Sequence, residues 1–112
     1  MVKYKNESSA AEATLNRVFA ALADANRRQL VHLLTEGEQR VSDLAAYFSM
    51  SLVAVSKHLK VLEAAGIVRR RVDGRTHYLS LNPEQLTGAL DWIAVYRNFW
   101  QQRLDQLDNL EE

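Results

Sequence analysis

Cysteine is absent from the 112-residue chain, and disulfides, thiolate metal sites, cysteine nucleophiles and thiol redox sensing are excluded with it. Glycine is scarce, at four residues, and neither a glycine-rich phosphate loop nor a GxSxG elbow occurs. Ser56 and His58 stand two positions apart, and residues so spaced point to different sides of a helix, so they form no nucleophile pair. Without paired catalytic groups, no enzyme is expected. Histidine is sparse too: His32, His58 and His77 fall on three separate segments, with no HxxxH pair and no carboxylate at ligand spacing. Neither a metal nor a cofactor is therefore expected. Long hydrophobic runs are also missing, since no stretch approaches the roughly 18 apolar residues of a membrane span, and the polar start MVKYKNESS lacks the apolar core of a signal peptide. The expectation is a soluble cytoplasmic protein with no membrane partner.

Net charge of either sign is the last absence, because 14 Lys plus Arg face 14 Asp plus Glu. The distribution is uneven. Lys57, Lys60, Arg69, Arg70, Arg71 and Arg75 crowd residues 57–77 against only Glu63 and Asp73, whereas Glu84, Asp91, Asp105, Asp108, Glu111 and Glu112 outweigh Arg97 and Arg103 near the C-terminus. A neutral molecule can still attract a polyanion to one face, because the field near a surface is set by nearby charges. Two solvated faces would give the same counts.

What is present is an ordinary globular composition, 47% hydrophobic and 25% charged, which at this length fits one domain over residues 10–110. Leu15, Val18, Phe19 and Leu22 recur at three- and four-residue steps and predict a first helix over 10–23. Asp24 is placed to cap a second helix with Leu30, Leu33 and Leu34 inside, ended by Gly37 in the left-handed conformation. Ser42 is expected to cap a two-turn third helix through Phe48, and Ser51 a fourth with Val55, Leu59 and Leu62 as its core stripe, closed by Gly66. Two short helices across a short turn outline a helix-turn-helix over about 42–65.

Beyond Gly66, IVRRRV and RTHYLSL flank Asp73-Gly74, which predicts a hairpin over about 67–81 closed by a type I′ turn. Asn82 then caps and Pro83 opens a last helix to about Leu110. The fold class is thus mainly α with a small β-hairpin, a winged helix-turn-helix in the order ααααββα. In the last helix Leu86, Leu90, Ile93, Tyr96, Trp100, Leu104 and Leu107 share one stripe, widened by Trp92, Val95 and Phe99. So wide a face points to an association surface, with burial against its own domain as the alternative.

With Val55, Leu59 and Leu62 turned inward, the fourth helix presents Val53, Lys57 and Lys60, flanked by Leu52 and Ser56. Amines for phosphate or guanine, a hydroxyl and aliphatic groups for thymine methyls make a plausible reading surface for double-stranded DNA. Arg71 and Arg75 lie beside the hairpin tip, where a wing meets backbone or minor groove. The candidate DNA-contacting set is Ser42, Ser51, Leu52, Val53, Ser56, Lys57, Lys60, Arg71 and Arg75. His58 is expected to pack or hydrogen-bond, and His77 to line the wing. A winged-helix module that binds a protein through the same surface is the competing class.

The run FAALADANRRQLVHLL, followed by VSDLAAYFSMSLVAVSKHLKVLEAAGIVRRRVDGRTHYLSLNP, resembles the ArsR/SmtB family of bacterial winged-helix repressors over about residues 15–85, most specifically at VSKHLKVLEAAGIV. The resemblance implies a homodimer through the first and last helices (about 10–23 and 83–110), two recognition helices in successive major grooves, and repression by blocking a promoter. The candidate dimer interface is Leu15, Phe19, Trp92, Phe99, Trp100, Leu104 and Leu107. Many family members sense metals through cysteines in the third helix or His and Asp/Glu ligands in the last. Here VSDLAAYF and the segment after Pro83 hold no cysteine or histidine, and Asp43, Asp91 and Asp105 lack partners, so metal sensing does not transfer. Ala25 stands where the family usually has proline. WIAVYRNFWQQRLDQL resembles a thiol-free subgroup, which points to a small-molecule effector, a protein effector or constitutive autorepression.

Overall fold

The computed structural model describes residues 6–110, with side chains from 10 to 109. The polar first five residues, and Glu111 and Glu112 of the acidic segment, lie outside that range. The first helix, α1, spans Asn6–Leu22 and buries Val18 and Ala21, with Leu15, Phe19 and Leu22 packed alongside. It has no basic residue in its last turn, and its carbonyls are satisfied from the next element instead. In α2, Ala25–Leu34, Arg27 donates from Nε to Ala21 O at 2.6 Å and Arg28 from Nη1 to Leu22 O at 2.7 Å. Asp24 caps α2 as expected, accepting from the amides of Asn26 and Arg27 at 2.8 and 3.1 Å. The short LADANRR corner therefore closes two helix ends at once.

Gln39–Arg40 form β1, a two-residue strand too short to show any sequence period, and α3 follows at Val41–Ala45. The cap of α3 differs from expectation. Pairing within the sheet holds Arg40 extended at ψ 149°, so Arg40 is the capping residue, without a side-chain cap bond, and Ser42 lies inside the helix. The helix starts earlier than expected but ends at Ala45 rather than Phe48, and its five residues fall short of the two turns expected. Its first-turn Asp43 is forked by Arg40 at 2.9 and 3.2 Å.

In α4, Leu52–Ala64, the Ser51 hydroxyl accepts from Ala54 N at 3.1 Å, and Val55, Leu59 and Leu62 are buried as the helical period requires. Gly66, at φ +78°, then turns the chain into β2, Val68–Asp73, which pairs antiparallel with β3, Thr76–Leu81. The strand order is β1-β3-β2, so the hairpin gains a third strand on its inner edge. The turn also differs by one residue. Asp73 pairs with Thr76, the central pair is Gly74-Arg75, and only Gly74 has positive φ (+62°), which fits a turn with glycine at its first central position rather than a type I′ Asp-Gly turn.

The last helix, α5, runs Pro83–Leu110. Asn82 precedes it but its side chain is used elsewhere, donating to Gly66 O at 3.0 Å and accepting from Arg69 at 2.9 Å, so the expected side-chain cap is replaced by a tie to the base of the hairpin. Leu30, Leu34, Leu44, Leu59, Leu62, Ile67 and Leu79 form one closed core beneath α4 and the sheet. Ala89 joins it from α5, and every described residue of α5 beyond Ala89 is exposed. Among the described residues, no helix is long and apolar enough to cross a membrane.

Candidate nucleic-acid interface

Burial of the α4 stripe turns the opposite side of that helix outward. Leu52 and Val53 are 54% and 65% exposed, Lys57 and Lys60 are exposed, and Ser56 is half-buried. Among the described residues, Lys57, Lys60 and Arg75 take part in no ion pair. A groove of about 850 Å³ separates α3 and α4 from the hairpin, and Ser42, Leu52, Ser56, Lys60 and Arg75 all line it. Ser51, Val53 and Lys57 sit outside its walls, at the start and on the exposed side of α4. The groove thus carries unpaired cations on both banks, with small polar and aliphatic groups between them.

Arg71 is placed differently from Arg75. Its guanidinium forks Glu38 at 3.1 and 2.7 Å and stacks over Tyr78 at 4.2 Å, which cancels its charge locally and ties the hairpin to the α2–β1 connection. That hydrogen bond holds the Glu38 carboxyl below its ordinary value and raises Arg71 above its own. Glu63 and Arg70 were counted only as charges in the sequence and His77 was expected to line the wing; the three meet across the gap between α4 and the sheet, a contact the sequence did not foretell. Glu63 and Arg70 are seven residues apart on different elements, so no single periodicity connects them.

His58 hydrogen-bonds as expected: its Nδ1 lies 3.2 Å from Arg27 Nη1, and the Asp24 carboxylate stands 4.0 Å away, so the ring links α4 to the α1–α2 corner. The Asp24 carboxyl is held below its ordinary value, first by the backbone hydrogen bond from Arg27, despite an opposing desolvation, then by the Asn26 amide and by His58 and Arg27 charge. Among the described residues, no group of three or more metal-ligating side chains comes together.

A second surface lies along α1 and α5. Phe19 meets Trp92 edge-on at 5.6 Å, Trp92 lies 4.4 Å from Tyr96, and Leu15, Phe19 and Trp92 share a cleft of about 570 Å³. Farther out, Phe99 packs edge-on against Trp100 at 5.3 Å, and Phe99, Trp100, Leu104 and Leu107 are all exposed. The sequence-derived interface residues therefore lie along an apolar strip that is partly buried at its inner end, at Leu15 and Phe19, and exposed from Trp92 outward.

A short helix pair, a three-stranded sheet extended into a hairpin, and a cation-lined groove between them define a winged helix-turn-helix DNA-binding regulator. Residues 24–70 match the family described as bacterial regulatory protein, arsR family. The transcriptional repressor SdpR of Bacillus subtilis is 32% identical over 84 residues, which is 75% of this chain and 93% of that protein. The crystal structure of an ArsR family transcriptional regulator superposes with a TM-score of 0.74 at 33% identity, covering 90% of this chain and 97% of the other. A homodimeric winged helix-turn-helix DNA-binding domain from Mycobacterium bovis superposes at 0.68 with 28% identity over 88% of this chain and 94% of its own. The chain belongs to the ArsR family of transcriptional regulators, and it is not an enzyme.

Proposed function

We propose that the chain acts as a homodimeric repressor or autorepressor on an inverted-repeat operator. One domain, residues 10–110, supplies a helix-turn-helix (42–65), a wing (67–81) and dimerisation helices (10–23 and 83–110). The observation that carries the reading is that Lys60 on α4 and Arg75 at the hairpin face each other across one groove, with Lys57 exposed beside it on α4, and that none of the three takes part in an ion pair among the described residues. In this reading α4 enters the major groove with Ser51, Leu52, Val53, Ser56, Lys57 and Lys60 toward the bases and nearest phosphates, Ser42 lies at the groove wall, and Arg75 meets backbone or minor groove. Arg71 joins the DNA contacts only by exchanging Glu38 for a phosphate. The second copy is supported by the apolar strip on α5 and by the homodimeric relative from M. bovis. A promoter-binding protein works where the DNA is, so a cytoplasmic location belongs to the same reading.

The test is a salt titration on duplex DNA selected from a random pool. Counterion release makes a DNA reader lose affinity steeply with salt, and a flat titration would indicate a protein-binding module instead. Lys57→Ala and Arg75→Ala are each expected to weaken binding with fold and dimer intact. If Lys57 reads a guanine, its loss costs about 1 to 3 kcal/mol and relaxes preference at one base pair, whereas a phosphate contact weakens all sequences alike. Unchanged affinity of both variants at low salt overturns the surface.

A further inference from the structure

Arg70 and Arg71 are neighbours on β2, and alternate strand residues face opposite sides of a sheet. Arg71 takes Glu38 on one side; Arg70 takes Glu63 of α4 on the other, Nη2 to Oε1 at 2.6 Å and Nε to Oε2 at 3.0 Å. The remaining Arg70 nitrogen, Nη1, lies 3.1 Å from His77 Nδ1, so all three nitrogens of the guanidinium are engaged. Both side chains are mostly shielded, 22% and 28% exposed, and both line the groove beside Lys60 and Arg75.

A lone carboxylate there would repel a phosphate backbone, and a lone arginine would attract one. Paired, they contribute almost no net field. What the pair does supply is geometry, because a two-pronged guanidinium–carboxylate fork restrains rotation as well as distance. Arg70 is also near the last point of support for the hairpin: Val68 is buried two residues earlier, while Arg71, Val72, Asp73, Gly74 and Arg75 are all exposed. The fork therefore restrains the hairpin against α4, as the Arg71–Glu38 pair restrains it against the α2–β1 connection, and with it the separation of Lys60 from Arg75.

We propose that Glu63 and Arg70 are specificity-determining positioning residues, a brace that holds recognition helix and wing in the register of one operator geometry. The inference rests on the DNA-reading function proposed above. Affinity for DNA at large and discrimination between sequences should then respond differently to its loss.

The experiment measures dissociation constants of full-length wild type and variants for the selected operator and for a scrambled duplex of equal length, with melting curves to confirm folding. Glu63→Gln is expected to bind scrambled DNA more tightly, since it removes a carboxylate and frees Arg70 for phosphate, while the operator-to-scrambled ratio falls about tenfold, the scale of losing one base-pair contact. Arg70→Lys keeps the charge and loses the fork, so the ratio falls again; a role of charge alone leaves it unchanged. The double variant Glu63→Gln/Arg70→Gln should be no worse in ratio than either single change, and the swap Glu63→Arg/Arg70→Glu should recover discrimination. A wild type that enriches no sequence overturns the DNA-reading function and the brace with it. A wild type with a clear operator, whose ratio survives in both Glu63→Gln and Arg70→Lys, overturns the brace alone.

Discussion

Ser42 and Ser51 look alike in the sequence, each a serine ahead of a short apolar run, yet only Ser51 caps a helix. The difference is tertiary, because Arg40 is drawn into the sheet beside Tyr78 and the helix begins one residue before Ser42. Ser51→Ala should therefore cost about 1 kcal/mol, whereas Ser42→Ala, an exposed interior position, should stay within about 0.5 kcal/mol, read as midpoints of urea unfolding. The same distinction governs the charged residues. Lys57 and Lys60 were legible because one helical period fixes which side they occupy, but RRR gives no means of assigning partners that lie seven residues away for Arg70 and 33 for Arg71. Acid titration adds a second expectation at this scale. Asp24 and Glu38 both have carboxyls held below their ordinary values, so their stabilisation is fully present above the unfolded carboxylate pKa and is lost as pH falls through the lowered folded one. Melting temperature should hold steady near neutrality and drop below about pH 4. The double variant Asp24→Asn/Glu38→Gln should flatten that drop; a profile superimposable on the wild type would show that other groups govern acid unfolding.

Among the elements, the five helices and the hairpin were readable from apolar period, caps and the lone proline, and the two-residue β1 was not, because its existence depends on the edge of β3 rather than on any pattern of its own. The hairpin turn was misplaced by one residue for a related reason: Asp-Gly is a strong local signal, but the register set by Val68 opposite Leu81 and Arg70 opposite Leu79 carries pairing out to Asp73 and Thr76. Two glycines test how far element geometry, rather than composition, sets stability. At Gly66, φ is +78° and an added Cβ would lie 2.7 Å from Gln85 Cγ on α5, so Gly66→Ala must strain the backbone and push aside the Gln85 side chain. A loss of about 1 to 2 kcal/mol is expected from the conformation alone. Gly88 lies within α5 with open space around it, and Gly88→Ala should stabilise by about 0.5 to 1 kcal/mol. Urea unfolding of the two variants checks both signs, and a stabilising Gly66→Ala would refute the account of the α4–β2 connection.

For the whole molecule, the dimensions argue that one chain is not a finished structure. Its radius of gyration is 18.2 Å, against roughly 13 Å for a compact chain of this length, and the longest extent is 60 Å. The excess comes from α5, whose 28 residues span roughly 42 Å at the helical rise, and whose outer half leaves Phe99, Trp100, Leu104 and Leu107 in water. Such a strip was visible in the sequence as an apolar face too wide for one domain, but only the structure separates the inner part, where Trp92 is engaged with Phe19, from the outer part that no described residue covers. If a second copy covers it, Trp100 becomes a buried interface aromatic, and removing such a side chain costs about 3 to 5 kcal/mol, a factor of several hundred or more in the association constant. Because Trp100 is 60% exposed in the single chain and lies far from the core, Trp100→Ala should leave the folded protomer intact and shift it to monomer. Tight operator binding should fail with it, since two recognition helices must be held about 34 Å apart to engage both half-sites. Lys57→Ala, on the exposed side of α4 and outside the α5 strip, serves as the control that loses DNA without losing the dimer. Sedimentation across micromolar dilution decides the matter: a wild type that stays a folded monomer at every concentration, and still binds a two-fold operator tightly, would show that α5 reaches out for something other than its own copy.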